Sequence, residues 1–255
     1  MGSTINAAPA AGPVTIFGRA AELGQLRKRV TARHSFLLHG PVGVGKSLLL
    51  SAVCEQVSDV LYSDENPAPH VLYRNLAEAL LRVGNRILAE SCPCGPASVA
   101  SKTAVALKGL VRDALHDSSY LVVLDHLVRP SQALAAAIRE LMLYCAVPVI
   151  AVSRSPHMED AGFALSFFPD RTERLGLRNF DSETSRRFAA WAVERERLTA
   201  QNLSEFLVKI VEYSQGNPGT MLQMVRMATS SRYNHAGHIK IAPLYIDQKL
   251  RALNH

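Results

Sequence analysis

The sequence predicts an α/β protein: a three-layer αβα unit around a central parallel sheet, followed by a small all-helical unit. Three observations lead there. Short apolar runs alternate with amphipathic stretches as far as residue 179, a complete G-x-x-x-x-G-K-S/T loop joins the first run to the stretch behind it, and beyond Phe180 only helical periodicity remains.

Residues 1–14 are rich in Ala, Gly and Pro and almost without charge, and read as a loose leader. Over 19–32, Leu23, Leu26 and Val30 recur at three and four positions, the mark of an amphipathic helix with a basic flank. The apolar run 35–39 ends at Gly40, as a buried strand feeding a glycine loop does, and 47–57 reads as the helix that follows. A short strand is expected at 60–63. After a Pro-containing break comes a helix over 71–90, then a second break through Ser-Cys-Pro-Cys-Gly-Pro, and a helix over 103–116. Residues 120–124 give the strongest strand signal, five apolar residues that end against Asp125. Ser131 is placed to cap a helix through 133–144, and 147–152 and 174–177 read as further strands. Helices are expected at 182–194, 200–214 and 220–229, with a packed C-terminal element over 239–250. The chain thus divides into a leader (1–14), an α/β domain (15–179) and a helical lid domain with the C-terminal element (180–255), the boundary falling near Asn179.

Composition narrows the class of protein. With 255 residues, 48% apolar and 20% charged, the chain can bury a sizeable core. No apolar run reaches the roughly 18 residues of a membrane span, and the N-terminus lacks the basic and apolar blocks of a signal peptide, so no membrane contact is expected and the cytoplasm is the default compartment. Cys54, Cys92, Cys94 and Cys145 are scattered, which argues against a disulfide framework, and the Cys92/Cys94 pair falls short of the three or four ligands of a zinc site. A formal charge of +6 suits a polyanion such as DNA, although the basic residues are dispersed in the manner of solvated helix faces.

The chemistry concentrates in a few short stretches. Gly40-Pro41-Val42-Gly43-Val44-Gly45-Lys46-Ser47, with Leu48 behind it, fits the phosphate-binding pattern throughout and lies between an expected strand and an expected helix. Its glycines let backbone amides turn toward phosphate oxygens, Lys46 reaches the terminal phosphates of ATP or ADP, and the Ser47 hydroxyl reaches Mg²⁺. Asp125, at the carboxyl end of its strand, is the natural second Mg²⁺ ligand. Where an acid would orient the attacking water the chain has His126, which points to slow hydrolysis or to nucleotide sensing. Ser153 and Arg154 end the next strand, placed to sense or contact phosphate.

In these residues the chain resembles the AAA+ and closely related STAND-type P-loop ATPases of the compact bacterial kind, over about 15–229, and is similar in size to transposon-associated ATP-binding regulators. The likeness includes Ile16-Phe17-Gly18-Arg19-Ala-Ala-Glu22-Leu23, similar to the family's opening motif, and Gly216-Asn217-Pro218, similar to the turn of its lid. The resemblance implies adenine near Phe17, Gly18, Arg19 and Pro218. It implies an ATP-bound homo-oligomer, ring or filament, in which a neighbour's Arg completes the site; Arg171, Arg174 and Arg178 are candidates. Relatives often carry a second phosphate-sensing Arg just after the lid turn, whereas here Gly219 and Thr220 follow and the first Arg is Arg226. The expected function is a slow Mg²⁺-dependent ATPase whose nucleotide state governs assembly and the binding of a partner, DNA or protein. The alternative is a STAND-type nucleotide-sensing switch with little hydrolysis. A phosphotransferase fits less well, because a minimal kinase has no use for the opening motif or the helical tail.

Overall fold

A computed structural model describes residues 16–253; the leader expected at 1–14 lies outside the described residues. Five strands, β1 (Phe36–His39), β2 (Val60–Ser63), β3 (Leu121–Leu124), β4 (Val149–Ser153) and β5 (Arg174–Gly176), form a parallel sheet in the order β2-β3-β4-β1-β5. The pleat sends successive side chains to opposite faces. Phe36, Leu38, Leu121, Val123, Ile150 and Val152 meet α1 (Ala20–Thr31) and α2 (Lys46–Cys54) on one side. Leu37, Val122, Leu124, Val149 and Ala151 meet α3 (Pro69–Arg82), α4 (Arg86–Ser91), α5 (Pro96–Ser101), α6 (Ala104–Leu115) and α7 (Gln132–Leu143) on the other. Burial on both faces is why these strands read as unbroken apolar runs.

The expected helix over 71–90 is two helices. Gly84, at φ +73, ends the first, and the Asn85 side chain accepts from the Leu88 amide to start the second, a stop and cap that override the apolar period. The second break contains α5, opened by Pro96 in its first turn. Between β4 and β5 the chain makes α8 (Met158–Ala161) and two 3₁₀ turns that carry no periodicity in the sequence.

Beyond Phe180, α9 (Ser182–Arg195), α10 (Leu203–Ser214), α11 (Pro218–Ala228) and α12 (Ile241–Leu253) gather around a separate apolar cluster that includes Phe188, Phe206, Ile210, Met221, Met224 and Leu244. This tail is not helical throughout: Asn234–His235 (β6) and His238–Ile239 (β7) form an antiparallel hairpin over Ala236 and Gly237, at φ +50 and +78. Two central residues at positive φ match a tight hairpin, a signal that Gly237 alone carries weakly in the sequence.

Phe206 is fully buried at the centre of the second cluster. Phe206→Ala is expected to cost about 3–5 kcal/mol through the lost burial and the cavity left behind. The shift of a urea midpoint measures it, and a loss below 1 kcal/mol would mean that this cluster is not a packed core.

Candidate functional site

The parallel sheet brings the loops after β1, β3 and β4 out at one edge, where open α/β sheets place their ligand crevice. The loop after β1 wraps onto the start of α2, and Gly45, at φ +100, is the residue before that helix. The loop is clasped by the helical tail. Gly219 N donates to the Gly43 carbonyl at 2.9 Å, and Asn217 Nδ2 donates to the Val42 carbonyl at 2.8 Å. A side chain on either glycine would break this approach, since a Cβ on Gly219 would lie 2.7 Å from Gly43 Cα, and one on Gly43 would lie 2.7 Å from Asn217 Oδ1. Asn217 also caps α11, accepting from Thr220 N at 3.0 Å, with Pro218 in the first turn.

Lys46 folds back over its own loop: Nζ donates to the carbonyls of Gly40 at 2.7 Å and Pro41 at 3.1 Å. Burial lowers its pKa, opposed by the Asp125 carboxylate. An ammonium group held only by neutral carbonyls can exchange them for anionic oxygens. Asp125 is 1% exposed, and both its oxygens are engaged: Oδ1 accepts from His126 N at 2.8 Å and Oδ2 accepts from the Tyr62 hydroxyl. Burial first, and then that hydrogen bond, push the Tyr62 phenol well above its usual range.

Lys46, Ser47, Asp125, His126, Ser153 and Arg154 line one cavity of about 260 Å³. The structure therefore brings together the candidate residues from three loops. Ser153 is buried and turns its hydroxyl to the Ser155 carbonyl at 2.7 Å, so in this arrangement it closes its own turn. A second cavity, about 290 Å³, shares Gly43, Gly45 and Leu48 with the first and is walled by Phe17, Trp191 and Pro218. Phe17 stands 5.6 Å from Phe188 and 5.9 Å from Trp191, ring centre to ring centre, in an aromatic wall. Arg19 is a buried clasp beneath that wall, donating to Glu22 at 2.8 Å and to the Arg178 carbonyl at 2.6 Å with its guanidinium over the Phe180 ring. Arg226 lines this second cavity and pairs with Glu196 at 2.9 Å, away from the cavity of Lys46 and Asp125.

Two residues at the site escaped sequence reasoning, Tyr62 and Asp64. The register pairs Ser63 with Leu124, so the residues that follow, Asp64 and Asp125, leave the sheet side by side. The signal was present: 60–64 is a second apolar strand that ends in an acid. His126 Nδ1 lies 2.6 Å from Asp64 Oδ1. Among the described residues, Asp64, Asp125 and His126 form the cluster whose candidate ligand atoms all lie within 4.8 Å of one another. A recess of about 870 Å³ runs along β2 past Tyr62 and Asp64 and is lined by no residue of the glycine loop.

Residues 15–144 match the family model described as an AAA ATPase domain. No curated protein matches the sequence significantly. Among solved structures the chain is similar to a Walker-type ATPase of Pyrococcus abyssi, at 17% identity and a TM-score of 0.58, over 94% of this chain and 72% of that one. It is also similar to a RuvB mutant of Thermotoga maritima, at 13% identity and a TM-score of 0.49, over 91% of this chain and 67% of that one. The likeness to the Pyrococcus protein is one of fold, and the shared architecture is the P-loop NTPase fold that the strand and helix order predicts.

Asn217→Ala, which removes the cap of α11 and the bond to Val42, is expected to destabilise the protein by about 1–2 kcal/mol. Asn217→Ser, which can cap but cannot reach Val42, is expected to recover about 1 kcal/mol of that. Thermal or urea unfolding of the two variants measures the split, and equal losses would show that the cap contributes nothing.

Proposed function

Since the chain belongs to the AAA ATPase domain family, we propose that it binds ATP with Mg²⁺ across the two joined cavities and hydrolyses it slowly, its nucleotide state governing assembly and partner binding. The observation that carries this reading is the convergence of Lys46, Ser47 and Asp125 on one cavity from the ends of two strands.

In this reading the base sits against Phe17 and Trp191 beside Pro218, and the phosphates run along Gly40–Gly45 toward Lys46. Lys46 leaves its carbonyl partners for the terminal phosphates. Ser47 and Asp125 supply hard oxygen donors, which suit Mg²⁺, and they face the same cavity. Bound there, Mg²⁺ supplies charge neutralisation across the phosphates. Arg19 acts from beneath, holding the opening segment against the Arg178 carbonyl. The helices after residue 180 form a lid whose Asn217 and Gly219 clasp the phosphate loop directly, so that a change in the loop reaches the helical part without a long relay.

Exposed Val42, Leu48 and Val128 at the rim of the phosphate cavity support contact with a second copy, since apolar groups there lose water on assembly. The net charge of +6 keeps DNA as the candidate partner, with steeply salt-dependent binding as its signature. The clasp of loop and lid favours a second reading, a nucleotide-holding switch. Co-purified ADP with negligible turnover would select it, and sizing the protein with ADP, with a non-hydrolysable ATP analogue and with DNA added to each separates the two.

Lys46→Ala is expected to weaken ATP binding at least about tenfold, a loss of roughly 1.4 kcal/mol or more. Trp191, the chain's one tryptophan and a wall of the base cavity, reports binding by fluorescence. Unchanged affinity would remove the assignment. Chelation of Mg²⁺ is expected to stop turnover, and turnover that survives EDTA would exclude Ser47 and Asp125 as working metal ligands.

A further inference from the structure

We propose that Asp64 is a positioning residue for hydrolysis: it fixes the ring of His126 so that Nε2 accepts a hydrogen bond from the water that attacks the terminal phosphate. The inference rests on the nucleotide reading above and concerns a residue that lies outside the phosphate loop and the Mg²⁺ ligands.

The acceptor for that water has to come from the residues that face the phosphate cavity. Asp125 faces it, but in the nucleotide reading its carboxylate is given to Mg²⁺, with His126 N and Tyr62 already on its two oxygens. Ser153 faces it too, but its hydroxyl is tied into its own turn by donating to the Ser155 carbonyl and offers only a neutral, weakly basic oxygen. Lys46 and Arg154 have no acceptor to offer. With Ser47 and Asp125 assigned to Mg²⁺, the basic nitrogen of His126, which lines the cavity beside Lys46 and Asp125, is the strongest acceptor there. An imidazole can accept through only one nitrogen at a time, and which one depends on the partner of the other. Here Nδ1 lies 2.6 Å from Asp64 Oδ1, and an ionised carboxylate only accepts. Nδ1 therefore carries the hydrogen and Nε2 is the acceptor, the arrangement in which a carboxylate orients a working histidine.

Asp64 is itself held. Asn75 Nδ2, on α3, donates to the Asp64 carbonyl at 3.0 Å and to the Glu65 carbonyl at 3.4 Å. Buried Asn66 folds onto Ser63, accepting from its hydroxyl at 2.7 Å. In the loop after β3 the backbone of His126 stands at φ +52, with its amide on Asp125 and the next amide, Leu127 N, on the Val152 carbonyl at 2.9 Å. A non-glycine residue at positive φ is a local cost, sustained here by bonds on both flanks. Asp64 lines the recess along β2, and its hydrogen bond to a residue of the phosphate cavity is the one to the imidazole.

The step needs no net change at His126. The water oxygen bonds to the γ-phosphorus while the bond from that phosphorus to the bridging oxygen breaks, its electron pair leaving with ADP. Both water hydrogens depart with the inorganic phosphate as dihydrogen phosphate. The imidazole sets the direction of attack and ends as it began.

The test uses the full chain and four proteins besides the wild type: D64A, D64N, H126A and D64A combined with H126A. Single-turnover hydrolysis gives the rate, and Trp191 fluorescence gives ATP affinity and Mg²⁺ half-saturation. D64A is expected to slow hydrolysis about tenfold, with both binding constants unchanged. D64N, whose carbonyl can still accept from Nδ1, is expected to recover part of the rate, and D64A is expected to add nothing once His126 is Ala. The pair is more than half exposed on both sides, so the unfolding midpoint of D64A should match the wild type. A wild-type rate in D64A overturns the proposal, as does the same fractional loss on the H126A background. A shifted Mg²⁺ half-saturation in D64A overturns it too, by making Asp64 a metal ligand. With ATP binding and wild-type turnover intact, those outcomes remove only the role of Asp64; a wild type that neither binds nor hydrolyses Mg-ATP removes this proposal together with the nucleotide reading.

Discussion

A parallel sheet covered on both faces has no place for a charge except at the ends of its strands. Phe36, Leu37 and Leu38 in β1, all of β3 and all of β4 are closed off from water, so these strands carry apolar groups until their last positions, where His39 and Ser153 stand. All five strands run the same way, and their polar successors therefore emerge at one edge. The glycine loop follows His39, Asp64 follows Ser63, Asp125 follows Leu124 and Arg154 follows Ser153. The site is a consequence of this burial rule combined with strand order: β1 lies beside β4, and β4 beside β3, which sets the loop of Lys46 near Asp125 although the two are far apart in the chain.

The second organising contact is between backbones. Gly43 and Gly219 meet without side chains, and Asn217 divides its amide between capping α11 and holding Val42. One residue thus ties the end of a helix to the loop before another. The aromatic cluster of Phe17, Phe180, Phe188 and Trp191 lies at the same junction and gives it an apolar filling that a bare hydrogen-bonded hinge would lack. Arg19 shows the same economy: it lines the aromatic cavity, where the resemblance expects it, and also clasps the strand-to-helix connection at Arg178.

Most of the α/β architecture was legible in the chain because buried parallel strands are unmistakable apolar runs and the glycine loop has a fixed spacing. The parts that were not legible fail for physical reasons. Gly84 splits a helix whose apolar period continues through the break, so periodicity alone joins what backbone conformation separates. The hairpin at 234–239 is held by two residue pairs, too short for alternation to show. Asp64 and Tyr62 were invisible as site residues because their role depends on register. Only pairing of Ser63 with Leu124 reveals that two strands end in acids at the same level. Arg226, the first Arg after Gly216-Asn217-Pro218, lines the aromatic cavity and pairs with Glu196.

Asp125 shows how a site of this kind stays folded before it works. A carboxylate with 1% exposure and no partner would be costly by several kcal/mol, and a cation cannot be relied on to be present while the chain folds. The Tyr62 hydroxyl and the His126 amide remove that cost, one from the neighbouring strand and one from the next residue. The two partners differ in what they permit. The amide bond is built into a backbone at φ +52, whereas the phenol belongs to the edge strand β2 and, in the proposed Mg²⁺ reading, is the partner that gives up its oxygen. In the proposed nucleotide reading, stability in the resting state and access for Mg²⁺ thereby fall to different oxygens of one side chain, and the releasable partner belongs to the edge strand.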